Sequence, residues 1–160
     1  AASDVYKRQL FVCHGNICRS TMAQSVFQDM VNKSGLAERF DIDSAATSTE
    51  EIGNPPHHGT AAELRKHNIP VVLHRARQLT KADAEHFDYL IGMDTANIRN
   101  MRRMTGADDK IYKLLAFADI GRDVADPWYT GDFAATYADV TLGCGKLLEK
   151  LKEELHYEQQ

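Results

Sequence analysis

The chain has 160 residues, of which 43% are apolar and 26% charged, and its formal net charge at neutral pH is −4. This length predicts one domain over residues 1–160. The slightly acidic balance argues against a nucleic-acid binder, and the lack of a long apolar run argues against a membrane span or a secretory signal. Three cysteines do not form a disulfide framework and suit a reducing compartment, so we expect a cytoplasmic protein.

The first residues do not fit the pattern of the rest of the chain. The segment Asp4-Val5-Tyr6-Lys7-Arg8-Gln9 reads like the in-frame translation of a sequencing-library adapter. We therefore leave residues 1–9 out of the predicted fold and expect them to be non-native or disordered.

Apolar runs alternate with helical periods along the chain, which predicts βαβ units and a parallel sheet. Strands are expected at residues 10–13, 40–45, 89–93 and 111–117. Helices are expected from Ser20, from Pro56 to His67 with Asn68 as its stop, after Thr80, after Asp94 or Thr95 with Gly106 near its end, and over an apolar stripe from Phe133 to Leu155. Right-handed crossovers then give an open sheet with helices on both faces.

The stretch Cys13-His14-Gly15-Asn16-Ile17-Cys18-Arg19-Ser20 lies between the first strand and the first helix. A loop of this size can turn its backbone N–H groups toward an anion, beside a helix N-terminus that also favours negative charge. The same field favours a thiolate at Cys13, and Arg19 can grip a phosphoryl group with two donors. The pattern suggests phosphoryl transfer through a cysteinyl-phosphate, although Cys13 could instead be a core thiol at a strand end.

Other residues of this loop support the same interpretation. Gly15 lets the backbone approach a ligand, Asn16 tolerates a left-handed conformation, and Ser20 can act as the helix N-cap and bond a thiolate. Cys13, His14 and Cys18 could also suggest a metal. No second ligand cluster has a zinc-like spacing, so we expect no metal and no cofactor.

The sequence VCHGNICRS at residues 12–20 resembles the phosphate-binding loop of the low-molecular-weight protein tyrosine phosphatases. Further segments match this family in the same order. They are DSA at 43–45, GNPP at 53–56, RARQLT at 75–80, FDY at 87–89, MD at 93–94 and DPWYTGDF at 126–133. The resemblance covers nearly the whole chain from Leu10 onward and implies a flavodoxin-like sheet of four strands.

The resemblance implies chemical roles beyond the loop. Asp126 is implied to be the general acid, and later the base that activates water, while Trp128 and Tyr129 form a wall for a substrate ring. On the residues alone, Asp126 could equally be a turn residue before proline and the two aromatics could cap the core.

The resemblance also implies residues that support the loop. Asn16, Ser44 and His67 match a polar network that holds it, and Asp94 is expected near Arg19 or the loop. Taken singly, these residues also suit a turn, a strand end or a helix end.

Cys18 has two open interpretations. The family resemblance implies a reversible disulfide with Cys13 that protects the nucleophile from overoxidation. A small packing residue in the loop explains Cys18 equally well.

Specificity is expected to depend on the loop and the rim of the cleft. Ile17 is apolar and favours an aromatic ring, whereas the related protein arginine phosphatases carry threonine there. Glu50-Glu51 stand where the family often has an aromatic residue and histidine, and they would repel acidic phosphopeptides. The predicted substrate-binding residues are His14, Gly15, Asn16, Ile17, Cys18, Ser20, Glu50, Trp128 and Tyr129.

The sequence therefore predicts a tyrosine phosphatase that hydrolyses phosphotyrosine and aryl phosphate monoesters, is inhibited by phosphate or vanadate, and is a monomer or weak dimer. A protein arginine phosphatase is the alternative. A thiol-dependent arsenate reductase would need further redox-active cysteines, and only Cys144 follows the loop, on a core-like helix face. A phosphate-loop binding module without turnover is the alternative outside the enzymes.

Overall fold

The sheet has four parallel strands in the order β2-β1-β3-β4, which confirms the predicted flavodoxin-like arrangement. The structure is a computed structural model, and it describes residues 7–158. The strands are β1 (Lys7–Cys13), β2 (Phe40–Ala46), β3 (Tyr89–Gly92) and β4 (Ile111–Lys113). Because the chain crosses from one side of β1 to the other between β2 and β3, the carboxyl end of β1 is the point where such sheets bind ligands.

Helices cover both faces of this sheet. They are α1 (Arg19–Lys33), α2 (His58–Lys66), α3 (Lys81–His86), α4 (Thr95–Thr105), α5 (Pro127–Thr130) and α6 (Phe133–Glu158). Alternate residues of β1 enter two separate cores, as the twofold period of a strand requires. Phe11 packs in the larger core with residues of α1 and α6, whereas Leu10 and Val12 pack in the smaller core with residues of α3 and α4. Within residues 7–158, no helix has the length and hydropathy to cross a membrane.

Several predicted helix ends are confirmed. Thr80 caps α3, and its side chain accepts a hydrogen bond from the Asp83 amide. Asp94 caps α4 in the same way, and that helix ends at Gly106 in the left-handed conformation. Asn68, just after α2, also has a positive φ of 59°.

Strand β1 begins at Lys7, earlier than the predicted start at Leu10, and the added residues pair with β2. The expectation that residues 1–9 lie outside the fold is therefore wrong for residues 7–9; residues 1–6 lie outside the described residues, and a non-native origin stays a prediction. The amide of Gln9 is fully buried, and neither of its polar atoms has a hydrogen-bond partner. A buried amide without partners is unfavourable, so an apolar side chain would suit this position better.

Two other boundaries differ from the prediction. Strand β4 ends at Lys113 instead of continuing to Phe117, because Leu114 and Leu115 are both fully buried and lie in a 3₁₀ turn against α6. A strand would direct these neighbours to opposite faces. Helix α2 begins at His58, after Pro56, because the His57 side chain accepts a hydrogen bond from the Gly59 amide and caps the helix.

Candidate active site

The thiol of Cys13, at the last position of β1, lies at the floor of a cleft. Its Sγ lies 3.0 Å from the Ser20 hydroxyl and accepts a hydrogen bond from the Asn16 amide at 3.3 Å. Donors of this kind stabilise negative charge on sulfur. Burial, together with the charges of Cys13 and Asp126, raises the pKa of Cys18 to about 12. Cys18 is therefore a neutral thiol near pH 7, and Cys13 is the candidate nucleophile of the loop.

A buried network fixes the loop at Asn16, which has a φ of 59° and no exposed surface. Its Nδ2 donates to the Ser20 hydroxyl at 2.8 Å and to the Ser44 hydroxyl at 2.9 Å. Its Oδ1 accepts from Nε2 of His74 at 2.7 Å. A left-handed conformation at a residue other than glycine persists only when its surroundings hold it, and these bonds do so.

The carbonyl groups at the far end of the loop are bound by groups outside the cleft. The Ile17 carbonyl accepts from the His57 amide at 2.7 Å and from the Thr21 hydroxyl at 2.8 Å, and the Cys18 carbonyl accepts from Thr60 at 3.1 Å. Cys18 is the N-cap residue of α1, and its side chain makes no capping bond. The first amides of α1 thus have no side-chain acceptor, which suits a helix N-terminus that binds an anion.

The guanidinium of Arg19 is buried and held in one orientation. Its Nη1 donates to Asp94 at 2.8 Å and to the Val124 carbonyl at 2.9 Å, and Nη2 lies 3.5 Å from Oδ2 of Asp126. Burial alone lowers the pKa of Arg19, but the negative charge of Cys13 and the bond to Asp94 outweigh burial and raise it. Arg19 is therefore a permanent cation beside the thiol.

The opposite wall of the cleft comes from α5. Asp126 is the N-cap residue of this helix, and its Oδ1 accepts from the Trp128 amide at 3.0 Å. The side chains of Trp128 and Tyr129 are 56% and 83% exposed, so they do not cap the core. The cleft is lined by Cys13, His14, Gly15, Ile17, Cys18, Arg19, Glu50, Glu51, Asp126, Trp128 and Tyr129.

The histidine of the buried network is His74, and the prediction of His67 is wrong. His67 lies on α2, where its Nε2 contacts Glu63 at 2.8 Å and its ring stacks on Tyr137 with centroids 3.8 Å apart. Nδ1 of His74 lies 3.5 Å from Asp43, while its Nε2 reaches Asn16. Burial, opposed in part by the charge of Asp43, lowers the pKa of His74, so the ring is neutral near pH 7 in the folded protein.

Ser20 is also placed differently from the prediction. The N-cap position of α1 belongs to Cys18, and Ser20 lies in the first turn with its hydroxyl between Cys13 and Asn16. Its predicted proximity to the thiol is correct, and its predicted role as the N-cap is wrong. Ser20 is the second residue of α1, so it lies past the N-cap position, and its hydroxyl contacts the loop instead.

Besides His74, three residues in or beside the site were missed from the sequence. Gln24 accepts a hydrogen bond from the Ser44 hydroxyl at 2.5 Å, and Thr21 binds the Ile17 carbonyl. His57 stacks on Phe133 with centroids 5.3 Å apart. Thr21 and Gln24 lie in the first two turns of α1, next to the loop, and this position was the signal that could have identified them.

The rim of the cleft carries polar side chains. Nε2 of His14 and Oε2 of Glu50 are 2.9 Å apart. The two side chains are 49% and 69% exposed, respectively. Oε2 of Glu51 accepts from the Asn54 amide group at 2.6 Å. Within residues 7–158, no three histidine, cysteine, aspartate or glutamate side chains are grouped as in a metal site.

Comparison with known proteins places this site in a family. Residues 8–157 match the sequence model of the low molecular weight phosphotyrosine protein phosphatases. The low molecular weight protein-tyrosine-phosphatase YfkJ of Bacillus subtilis is 42% identical over 149 residues, covering 91% of this chain and 96% of that protein. The low molecular weight phosphotyrosine protein phosphatase of Homo sapiens is 40% identical over 157 residues, covering 93% and 98%.

Solved structures agree with the sequence comparison. The crystal structure of YfkJ matches with a TM-score of 0.89 at 40% identity, covering 93% of this chain and 96% of that one. A structure described as DARP, drosophila arginine phosphatase, matches with a TM-score of 0.83 at 27% identity, covering 90% and 97%. With a family match over nearly all of its length and relatives of this identity, the chain belongs to the low molecular weight phosphotyrosine protein phosphatase family.

Proposed function

We propose that the chain is a single-domain protein tyrosine phosphatase that hydrolyses phosphotyrosine and aryl phosphate monoesters. The observation that carries this proposal is the convergence of Cys13, Arg19 and Asp126 on one cleft. A buried thiol, a fixed guanidinium and a carboxyl group are the parts that a cysteine-based phosphoryl transfer requires. A nucleophilic thiol must stay reduced, which supports a location in the cytoplasm.

In the first chemical step, the Cys13 thiolate attacks phosphorus. The S–P bond forms, the bond between phosphorus and the phenolic oxygen breaks, and Asp126 donates its proton to the departing oxygen. The loop amides and Arg19 stabilise the charge that spreads over the three remaining phosphoryl oxygens. Asp126 must carry a proton at this moment, because an unassisted tyrosyl phenolate is a poor leaving group.

In the second step, water attacks phosphorus and Asp126 accepts a proton from it. The S–P bond breaks, which releases inorganic phosphate and restores the Cys13 thiolate. The same cradle that binds the substrate phosphoryl group fits this product. We therefore expect inorganic phosphate, and vanadate as its analogue, to inhibit competitively. The partner is then a phosphotyrosine-bearing protein or a small aryl phosphate, bound by a monomer or weak dimer.

A protein arginine phosphatase is the second candidate. The structural likeness to DARP, described as an arginine phosphatase, favours it. Ile17 favours an aromatic substrate instead, because this apolar side chain lines the cleft beside the thiol. Arsenate reduction has less support, because Cys144 is fully buried on α6 and its Sγ faces the Ala23 carbonyl at 3.9 Å.

The test compares kcat/KM for one peptide carrying phosphotyrosine, phosphoserine or phosphoarginine at the same position. We expect phosphotyrosine to be preferred by at least about 100-fold, and Cys13→Ser to abolish turnover because an alcohol is a much weaker nucleophile. Cys144→Ala is the matched control and should keep the activity. A preference for phosphoarginine would transfer the assignment to the second candidate, and tight binding of phosphopeptide without hydrolysis would indicate a binding module.

A further inference from the structure

Two carboxylates stand over the phosphate-binding loop from the segment that follows β2. Glu50 reaches the loop through its 2.9 Å contact with His14, and its side chain is 69% exposed. Glu51 lies closer to the backbone: its Cγ is 3.4 Å from the position that a Cβ on Gly15 would occupy. Asn54 holds the Glu51 carboxylate from the side. Both carboxylates are therefore attached to the rim of the cleft and face what enters it.

The residues around the cleft mouth carry more negative than positive charge. Glu50, Glu51 and Asp126 line the cleft, and in the described part of the chain Arg19 is its only lining arginine or lysine. Arg19 is buried at the floor and is paired with Asp94, so its charge acts on the phosphoryl group and not on the surroundings of the substrate. A peptide that places phosphotyrosine at the floor must bring its neighbouring residues to a rim that carries negative charge.

We propose that Glu50 and Glu51 determine specificity by selecting phosphotyrosines flanked by arginine or lysine. The inference rests on the proposed function. Neighbours one or two positions away in an extended peptide lie within about 7 Å along the chain, so their side chains can reach the rim. A basic neighbour gains attraction from the two carboxylates and an acidic neighbour meets repulsion, which separates the two classes of substrate.

His14 positions one of these groups. Without His14, Glu50 has the freedom of an exposed glutamate, whereas the contact with Nε2 of His14 holds its carboxylate beside the loop. Glu51 is directed independently by Asn54. The two carboxylates should therefore contribute separately, and Glu51, which packs on the loop backbone, should contribute at least as much as Glu50.

A local rim effect must be separated from the net negative charge of the whole chain, which also attracts basic peptides. The experiment measures kcat/KM for two phosphotyrosine peptides that differ only in having arginine or glutamate on both sides. The ratio between the two peptides is compared for the wild type, for Glu50→Gln, for Glu51→Gln and for the double variant. Glu153→Gln is the matched control, because it removes the same charge from an exposed position on α6.

We expect the wild type to prefer the arginine peptide by about tenfold at low ionic strength, as contacts between partly exposed charges of opposite and like sign allow. The double variant should reduce the ratio to about twofold, and Glu153→Gln should leave it unchanged. In 0.5 M salt the wild-type ratio should also fall toward unity, since exposed charges are screened. This second measurement needs no variant to fold.

Equal rates for the two peptides with the wild type would overturn the inference and leave the proposed function in place. A ratio that Glu153→Gln lowers as much as the double variant does would also overturn it, because total charge and not the rim would then select the peptide. Hydrolysis of neither peptide, in a preparation that hydrolyses phosphoarginine, would refute the proposed function itself.

Discussion

The floor and the rim of the cleft are built in different ways. At the floor, Asn16, Arg19 and Ser20 are almost fully buried, and the side chain of each makes hydrogen bonds to named partners. At the rim, Glu50 and Tyr129 are mostly exposed and have few contacts. Removing a partner at the floor leaves a buried polar group unsatisfied, whereas a change at the rim only alters what the substrate touches. Chemistry should therefore depend on the floor and selectivity on the rim.

The largest expected effect that depends on the substrate comes from Asp126→Asn. The asparagine cannot donate a proton to a departing phenolate, and general acid catalysis contributes about 100- to 10,000-fold. Tyrosyl phosphate should lose activity in this range, while nitrophenyl phosphate, whose phenolate leaves without a proton, should lose far less. The measurement is kcat for a series of aryl phosphates, with the pH profile of each. An equal loss across the series would assign the acid to another group, with Asp132 the first to test.

A second prediction tests the network that holds the floor. His74→Ala removes the donor to Asn16, which leaves a buried acceptor with one partner fewer and costs about 1–3 kcal/mol. We expect kcat to fall about 10- to 100-fold. His67→Ala is the matched control, because it removes a histidine that lies outside the network, and it should lower stability through lost stacking on Tyr137 while keeping kcat. A fall in kcat for His67→Ala with an unchanged kcat for His74→Ala would contradict this assignment and indicate that His67 supports the loop.

The buried position of His74 also predicts how the stability of the protein depends on pH. Burial lowers the pKa of His74 from its ordinary value of 6.5, so the folded protein binds its proton more weakly than the unfolded chain does. Stability contributed by this group is therefore present above pH 6.5 and is lost as the pH falls through 6.5 toward the lower value. Thermal unfolding of the wild type and of His74→Asn across this range checks it. A wild type and variant with parallel profiles would contradict this assignment.

A smaller effect is expected from Ile17→Thr, which changes an apolar loop side chain that lines the cleft. Loss of contact with an aromatic ring is worth about 1–2 kcal/mol, and this corresponds to about a tenfold shift in the ratio of phosphotyrosine to phosphoarginine hydrolysis. The ratio is measured with matched peptides. If it stays at the wild-type value, Ile17 does not set the preference, and the aromatic wall becomes the next group to examine.

The smallest effect should come from the rim. Trp128→Ala removes a ring that is already 56% exposed, so its contact with a substrate ring contributes about 1 kcal/mol. We expect KM for aryl phosphates to rise about three- to fivefold with kcat nearly unchanged. Leu142→Ala, at an apolar residue of α6 that is 41% exposed and outside the cleft lining, is the control. A large fall in kcat would show that Trp128 contributes to the chemical step and not only to substrate binding.

The sequence allowed prediction of those parts of the site that are encoded locally. Cys13 and Arg19 lie six positions apart between a strand and a helix, a local pattern that suggested one anion site but left Cys13 open as a core thiol until the family resemblance was added. Asp126 precedes a proline and two aromatics, and only the family resemblance joined this segment to the loop. The parallel sheet followed from apolar runs alternating with helical periods, which are also local signals.

Two of the errors concern contacts between distant parts of the chain, whereas the N-cap of α1 and the start of β1 were local errors. His74 and Asn16 are 58 positions apart, and nothing in the local pattern favours His74 over His67, which follows the last residue of α2. The end of β4 was predicted too late because Leu114 and Leu115 read as a continuing apolar strand. Their burial against α6, visible only once that helix is packed, makes this segment a 3₁₀ turn.

Rapid-quench kinetics with a phosphate-labelled aryl phosphate tests most directly whether Cys13 is the nucleophile. Attack by Cys13 on phosphorus should give a burst of phenol release equal to one equivalent of enzyme, with the label bound transiently through sulfur to the peptide that contains Cys13. Cys13→Ser should show neither the burst nor the label. Phenol release with no labelled protein intermediate at any time, or a label on a residue other than Cys13, would contradict the assignment of Cys13 as the nucleophile.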